Sequence, residues 1–197
     1  MRAAIVMLVT GGLLGGCAAT TPYTLVSPGE VSVAKGALVL HPSSAWNRIP
    51  HGSSALPQEE RWTQNGAVLD AVHFVGGLPD GQALAKQHAD DDRKVPVFHA
   101  AMTPQDLASM VESAYRIRAG AKEFDTIDLK PAMFLGEHGV QFDYSYMRDD
   151  NVRRRGRSMI AVSGGKLYVM SLDGAALHYF DAELPEFEAM VTSASIH

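Results

Sequence analysis

The sequence predicts a single α+β domain in which an antiparallel sheet of about six or seven strands is flanked by helices. Three observations predict it. Val140, Phe142, Tyr144 and Tyr146 alternate with Gln141, Asp143 and Ser145, the two-residue period of a half-buried strand. Thr103 to Ala119 carries the 3.6-residue apolar period of a helix and signals at both of its ends. Short apolar runs separated by Asn65-Gly66, Gly76-Gly77 and Gly164-Gly165 mark a chain that turns back on itself repeatedly.

The N-terminus has one charge, Arg2, followed by the apolar run Ala3 to Leu14. A basic start, a short apolar stretch and small residues after it make the layout of a secretory signal peptide. A spanning helix needs about 20 apolar residues, more than this run holds. The run ends in Leu14-Gly15-Gly16-Cys17, and Cys17 is the one cysteine of the chain. Leu, two small residues and Cys in that place resemble the bacterial lipoprotein class. The resemblance implies that residues 1–16 are removed, that a diacylglycerol is linked to the Cys17 thiol and that the new amine is acylated. Each buried lipid CH₂ then contributes about 0.8 kcal/mol, so several acyl chains hold the protein on the membrane. Ala18, in place of an aspartate, resembles the pattern sorted to the outer membrane. The expected location is therefore the cell envelope, on the periplasmic face of the outer membrane.

The full chain carries 17 Lys and Arg against 22 Asp and Glu, a net charge of −5. Removal of residues 1–16 takes only Arg2 with it and makes the balance one unit more acidic. Such a chain has no general attraction to nucleic acid, and none is expected as a partner. With its sulfur in a thioether, the mature protein would have no thiol nucleophile, no disulfide and no cysteine ligand for a metal.

Ala18 to Ala34 reads as a tether containing Thr20, Thr21, Pro22, Ser27, Pro28 and Gly29, so the folded domain is expected over 35–197. Tyr23 to Val26 has the alternative of pairing as an edge strand. Ala37 to His41 is the first expected strand, ended by Pro42. Trp46 follows in a polar loop, where its ring caps the core and its N–H finds a partner. Asn65-Gly66 predicts a two-residue type I′ hairpin turn between Trp62-Thr63-Gln64 and Ala67 to Val75. Gly76-Gly77 ends that arm, and a short helix follows over Gln82 to His88. Thr103 caps the clearest helix, Pro104 sits at its first position and Gly120 lies just beyond its end. Leu107, Met110, Val111, Ala114 and Ile117 form its buried face, and Glu112 pairs with Arg116 one turn on. Phe124 to Lys130 is a strand that Pro131 bends or ends. Gly139 to Met147, Arg157 to Val162 and Leu167 to Leu172 complete the meander. The last of these is apolar on both faces, as a central strand is. A closing helix buries Leu184, Phe187, Met190, Val191 and Ala194, with Pro185 in its first turn.

Val39-Leu40-His41-Pro42 with Trp46, and Lys166 to Leu172 leading into Phe187-Glu188-Ala189-Met190-Val191, resemble the PsbP-like fold over roughly residues 35–197. The resemblance implies an α/β/α sandwich and a docking or assembly module. It carries over no functional residue, because none of that family's ion-site positions is matched. A lipocalin-like or nuclear-transport-factor-like cone is the alternative architecture.

Candidate chemistry is sparse. Arg148, Arg153, Arg154, Arg155 and Arg157 fall close together around Asn151, and the last four form a candidate anion or partner patch. The competing reading is a solvated hairpin balanced by Asp149 and Asp150. Glu137-His138, flanked by Gly136 and Gly139, would be an acid–base pair at a turn that lacks a third member. Tyr144, Tyr146 and Tyr168 would line a pocket if they share a face; aromatic residues on one face of a strand are more often sheet core. His73 and His178 read as core or edge residues. Asp90-Asp91-Asp92 lacks the remaining pattern of a calcium loop, and the eight histidines lack ligand spacing, so no metal and no cofactor is implied. Ser43, Ser44, Ser53 and Ser54 stand in no nucleophile elbow. The resulting expectation is a non-enzymatic envelope lipoprotein that docks to or assembles an envelope partner. The alternative is a carrier or sensor that holds a small apolar ligand between sheet and helix.

Overall fold

The computed structural model describes residues 23–52, 55–86 and 94–197. In chain order the described elements are β1 (Thr24–Val26), β2 (Val31–Val33), β3 (Leu38–Leu40), β4 (Trp46–Arg48), β5 (Glu59–Thr63), β6 (Asp70–Pro79), α1 (Pro104–Arg118), β7 (Lys122–Phe134), β8 (Glu137–Met147), β9 (Arg153–Ser163), β10 (Lys166–Ala175), α2 (Tyr179–Ser193) and β11 (Ser195–Ile196). One antiparallel sheet takes eight of these strands in the order β1-β4-β5-β6-β10-β9-β8-β7, and β11-β3-β2 form a small second sheet. β10 lies between β6 and β9, and nine of its ten residues are buried, as its apolar sequence predicts.

Strand alternation splits the interior in two. Leu167 and Val169 of β10, with Val140, Phe142, Tyr144 and Ile160, pack under Leu107, Met110 and Val111 of α1. Tyr168, Met170 and Leu172 point the other way, onto Phe180, Phe187 and Met190 of α2, with Trp46 and Trp62 closing the end. One helix on each face of an antiparallel sheet is the α/β/α sandwich, so the fold class is α+β as predicted.

Helix α1 forms where its signals place it. The Thr103 hydroxyl accepts from the Asp106 amide at 3.2 Å, and Asp106 accepts from the Thr103 amide at 2.9 Å, a reciprocal cap. The same hydrogen bonds hold the Asp106 carboxyl below its usual range. Gly120 takes φ +59° just past the end, and Arg116 bonds Glu112 at 2.9 Å. Ile117 is only half-buried.

Several sequence expectations are corrected. The tether is shorter than 18–34: β1 pairs with β4 and β2 with β3, so the folded part begins before residue 35. β1 is the edge strand that Tyr23 to Val26 offers as the alternative; β2, three residues long, carries too little period to be seen in sequence. Asn65-Gly66 does not make a two-residue turn; β5 and β6 pair about a wider loop. There Asp70 accepts from the Gln64 and Asn65 amides at 2.8 and 2.9 Å and from the Thr63 hydroxyl at 2.6 Å. β6 continues through Gly76-Gly77 because another chain segment crosses there. A Cβ on Gly76 would lie 2.7 Å from Ala37 Cβ and 2.8 Å from Ala34 Cβ. No helix forms in the described part of 82–88, where Ala83 instead bridges Val97. β7 runs past Pro131 to Phe134; it is an edge strand, so the missing N–H costs it no partner there. Pro185 sits inside α2, which starts at Tyr179. Trp46 belongs to β4, and its indole N–H is buried without a hydrogen-bond partner.

Candidate ligand-binding site

A buried polar network lies between α1 and the sheet, and sheet register builds it. β6 and β10 pair so that His73 faces Ser171 directly and stands diagonal to Asp173. Asp173 is buried in the sheet yet keeps two partners: His73 Nε2 at 3.3 Å from its Oδ1, and the Tyr146 hydroxyl, which donates to its Oδ2. Burial pushes the Asp173 carboxyl up, but the hydrogen bonds from His73 and Tyr146 and the charges of His73 and Arg154 outweigh it. The net position is below the usual carboxylate range.

Tyr146 reaches Asp173 by crossing over β9, and its neighbour Tyr144 makes the same crossing. β9 supplies Gly156 opposite Tyr144, which leaves room for that ring. The Tyr144 hydroxyl then bonds the Leu172 carbonyl at 3.2 Å and the Tyr115 hydroxyl of α1 at 2.7 Å. Phe124 stacks on Tyr144 at 5.1 Å between centroids. Burial, reinforced by the Asp173 charge, pushes the phenols of Tyr115, Tyr144 and Tyr146 well above their ordinary range, so they act as neutral donors. Ser171 and Ser158, also buried, hold each other at 2.5 Å.

Beside this network, Glu59 of β5 is buried and accepts from Arg118 of α1 at 2.8 Å and from the Leu56 amide at 3.2 Å. Arg61 approaches the same Glu59 oxygen to 4.0 Å. Burial raises the Glu59 carboxyl, and the Arg118 guanidinium, His73 and the Leu56 amide more than reverse that.

These groups enclose a cavity of about 250 Å³. Val75, Val111, Ala114 and Val169 give it apolar walls; His73, Ser171 and Asp173 give it a polar floor; Arg61, Arg118 and Arg148 lie along it. A groove of about 550 Å³ adjoins it and shares Glu59, Arg61 and Lys86. The arrangement is a small concave site with an apolar body and a few placed polar groups, as ligand pockets are. Serine, histidine and aspartate meet in it, but the Ser171 hydroxyl is engaged by Ser158, and among the described residues none of the site's hydroxyls hydrogen-bonds a histidine. Among the described residues no group of three or more His, Cys, Asp or Glu is placed to hold a metal, and no helix is long and apolar enough to cross a membrane.

The residues singled out in the sequence fall as follows. Cys17, Ser53, Ser54 and Asp90-Asp91-Asp92 lie outside the described residues. The four arginines do not converge. They belong to β9, not to a turn, and every one has its own acid. Arg154 is buried and binds Asp150 at 2.7 Å with the carbonyls of Val68 and Val152, and this holds the Asp150 carboxyl far below its usual range. Arg153 meets Glu123 at 3.2 Å; Arg155 meets Asp181 at 2.8 Å and lies over the Phe180 ring. Arg157 takes Asp143 at 2.6 and 2.7 Å and also Glu188. Glu137 and His138 are adjacent in β8 and so point to opposite faces. Glu137 accepts from Ser163 at 2.7 Å and His138 is exposed. Tyr144 and Tyr146 share the α1 face, whereas Tyr168 is on the α2 face, so the three do not line one pocket. His178 is exposed at the start of α2. Ser43 is tied by its amide, at 2.7 Å, and its hydroxyl to Glu186.

Sequence reasoning missed His73 with Ser171 and Asp173 as a set. The nearest signal was that polar Ser171 and Asp173 interrupt an apolar central strand, where a buried polar group needs a partner.

No family model and no curated protein matches the chain by sequence. Among solved structures it is similar to the cyanobacterial PsbP (CyanoP) of Synechocystis sp. PCC 6803, with a TM-score of 0.58 and 16% identity over 93% of this chain and 99% of that one. It is also similar to LpqN of Mycobacterium tuberculosis, described as involved in cell envelope biogenesis, with a TM-score of 0.35 and 12% identity over 88% and 90% of the two chains. The first likeness establishes a PsbP-like fold, and at that identity it carries architecture alone.

Proposed function

We propose that this protein is a non-enzymatic, lipid-anchored component of a bacterial envelope whose domain holds a small ligand in the α1-side pocket. The lipid anchor rests on Leu14-Gly15-Gly16-Cys17 at the end of an apolar run. The ligand reading rests on one observation, the cavity of about 250 Å³ walled by apolar side chains and floored by a self-satisfied polar network. This supports the carrier or sensor alternative over a domain that only docks to an envelope partner. A pocket whose lining serine, Ser171, is engaged by Ser158 and not by a base suits holding better than turnover.

The test is methyl NMR of the intact lipidated chain in lipid nanodiscs, titrated with hexanol, hexanoate and hexylammonium as probes. At least one probe should shift the methyl signals of Val75, Val111 and Val169. Ala119→Phe, at the half-exposed rim of the pocket, should abolish that shift. If none of the three probes moves those valines, the ligand reading fails.

A further inference from the structure

The pocket also shows what kind of head group it would accept. The chain as a whole is acidic, with a net charge of −5. At its Glu59 corner the pocket has the opposite balance: Arg61 and Arg118 meet one carboxylate, Glu59, and Arg148 stands further along the wall. Local charge of one sign inside low-dielectric walls focuses a field that selects the counter-ion.

The acids are largely spoken for. Asp173 is held by Tyr146 and His73, and Asp70 by Thr63 and two amides. Glu59 is one carboxylate serving two guanidiniums, at 2.8 Å from Arg118 and 4.0 Å from Arg61. One positive charge is therefore left over at that point of the wall. Arg154 is committed to Asp150 and to backbone carbonyls. Arg148 is half-buried, and the acid whose charge it feels, Asp150, is already hydrogen-bonded to Arg154.

Guanidinium forks match carboxylate and phosphate oxygens, and the valine and alanine walls match an apolar body. Resting on the ligand reading above, we infer that the pocket takes a small amphipathic organic anion. Its acid group meets Arg61 and Arg118 at the Glu59 corner, with Arg148 adding to the field. Its apolar part lies against Val75, Val111 and Val169.

The head-group series separates this inference from the reading beneath it. The three probes share one six-carbon chain and differ in charge. On the intact chain in nanodiscs, with empty nanodiscs subtracted, hexanoate should bind about tenfold or more tighter than hexylammonium, with hexanol between them. Arg61→Gln and Arg148→Gln should each narrow that gap while leaving hexanol binding in place. Methyl spectra outside the pocket report that both variants remain folded. If hexylammonium or hexanol binds best, or if both variants leave the gap intact, the anion inference is overturned and the pocket stands. If no probe binds, both are overturned.

Discussion

The Tyr144 ring occupies the space that a side chain at Gly156 would need. The two residues are cross-strand partners, and a Cβ on Gly156 would sit 2.1 Å from Tyr144 Cζ, well inside contact distance. That clearance lets Tyr144 lean over β9 and tie β8 to both β10 and α1. A glycine in the middle of a long strand would otherwise weaken it.

Gly156→Ala should therefore act through Tyr144. The ring must move, and the bonds to Tyr115 and to the Leu172 carbonyl go with it. A loss on the order of 2–4 kcal/mol is expected in chemical denaturation. Tyr144→Phe keeps the shape and removes only the hydroxyl, so it should cost about 1 kcal/mol. Equal losses for the two variants would mean that crowding at residue 156 is not the cause.

Glu183 gives the fold a pH dependence of unusual sign. It is buried in α2, accepts from the Asn65 amide group at 2.8 Å and leaves its second oxygen without a partner when ionised. Burial, and then the neighbouring Asp70 charge, raise its carboxyl to about 8. Because the folded value lies above the ordinary 4.5, this stability is fully present below pH 4.5 and is lost as pH rises through 8. Glu183→Gln keeps a neutral donor in that place. Its stability should be flat between pH 5 and 8 where the wild type declines, and it should melt higher than wild type at pH 8.5. Parallel pH profiles for the two proteins would rule out a protonated Glu183.

Asp173 works in the opposite sense. Its carboxyl is held below the usual range, so its contribution is present above about pH 4 and is lost as pH falls through the folded value. Asp173→Asn removes the charge that His73 and Tyr146 address. It should cost on the order of 2–4 kcal/mol near neutral pH and shrink the acid-unfolding step. Urea titrations at pH 7 and pH 3 test this; a cost that is the same at both would contradict it.

The anchor is tested separately. In a bacterial host, wild-type chain should incorporate labelled palmitate and run as a processed form. Cys17→Ser should incorporate none and stay uncleaved. Label in the Cys17→Ser protein would remove Cys17 as the acceptor.

Much of the architecture was legible because its determinants are local. Thr103, Pro104 and Asp106 cap α1 through bonds three residues long, and Gly120 ends it with a backbone angle of its own. The alternation in β8 states which face is buried, and the apolar run of β10 states that both are. The errors arose where a distant segment decides. In sequence, β1 stands only as the edge-strand alternative at Tyr23 to Val26 and β2 is not expected, because three residues show little period. Their pairing depends on β4 and β3 arriving beside them. The arginine run left two readings open because, Asp150 apart, its acids, Glu123, Asp143, Asp181 and Glu188, come from three other elements.

By itself the sequence determined the fold class, the capped helix, the meander and the four-residue feature that proposes an address. Tertiary structure alone decided the site. His73 and Asp173 are far apart in the chain and meet only through the register of β6 with β10, and Tyr144 reaches Tyr115 only through the gap at Gly156. Local propensity sets which face a residue takes, but only strand pairing sets which residue stands beside it.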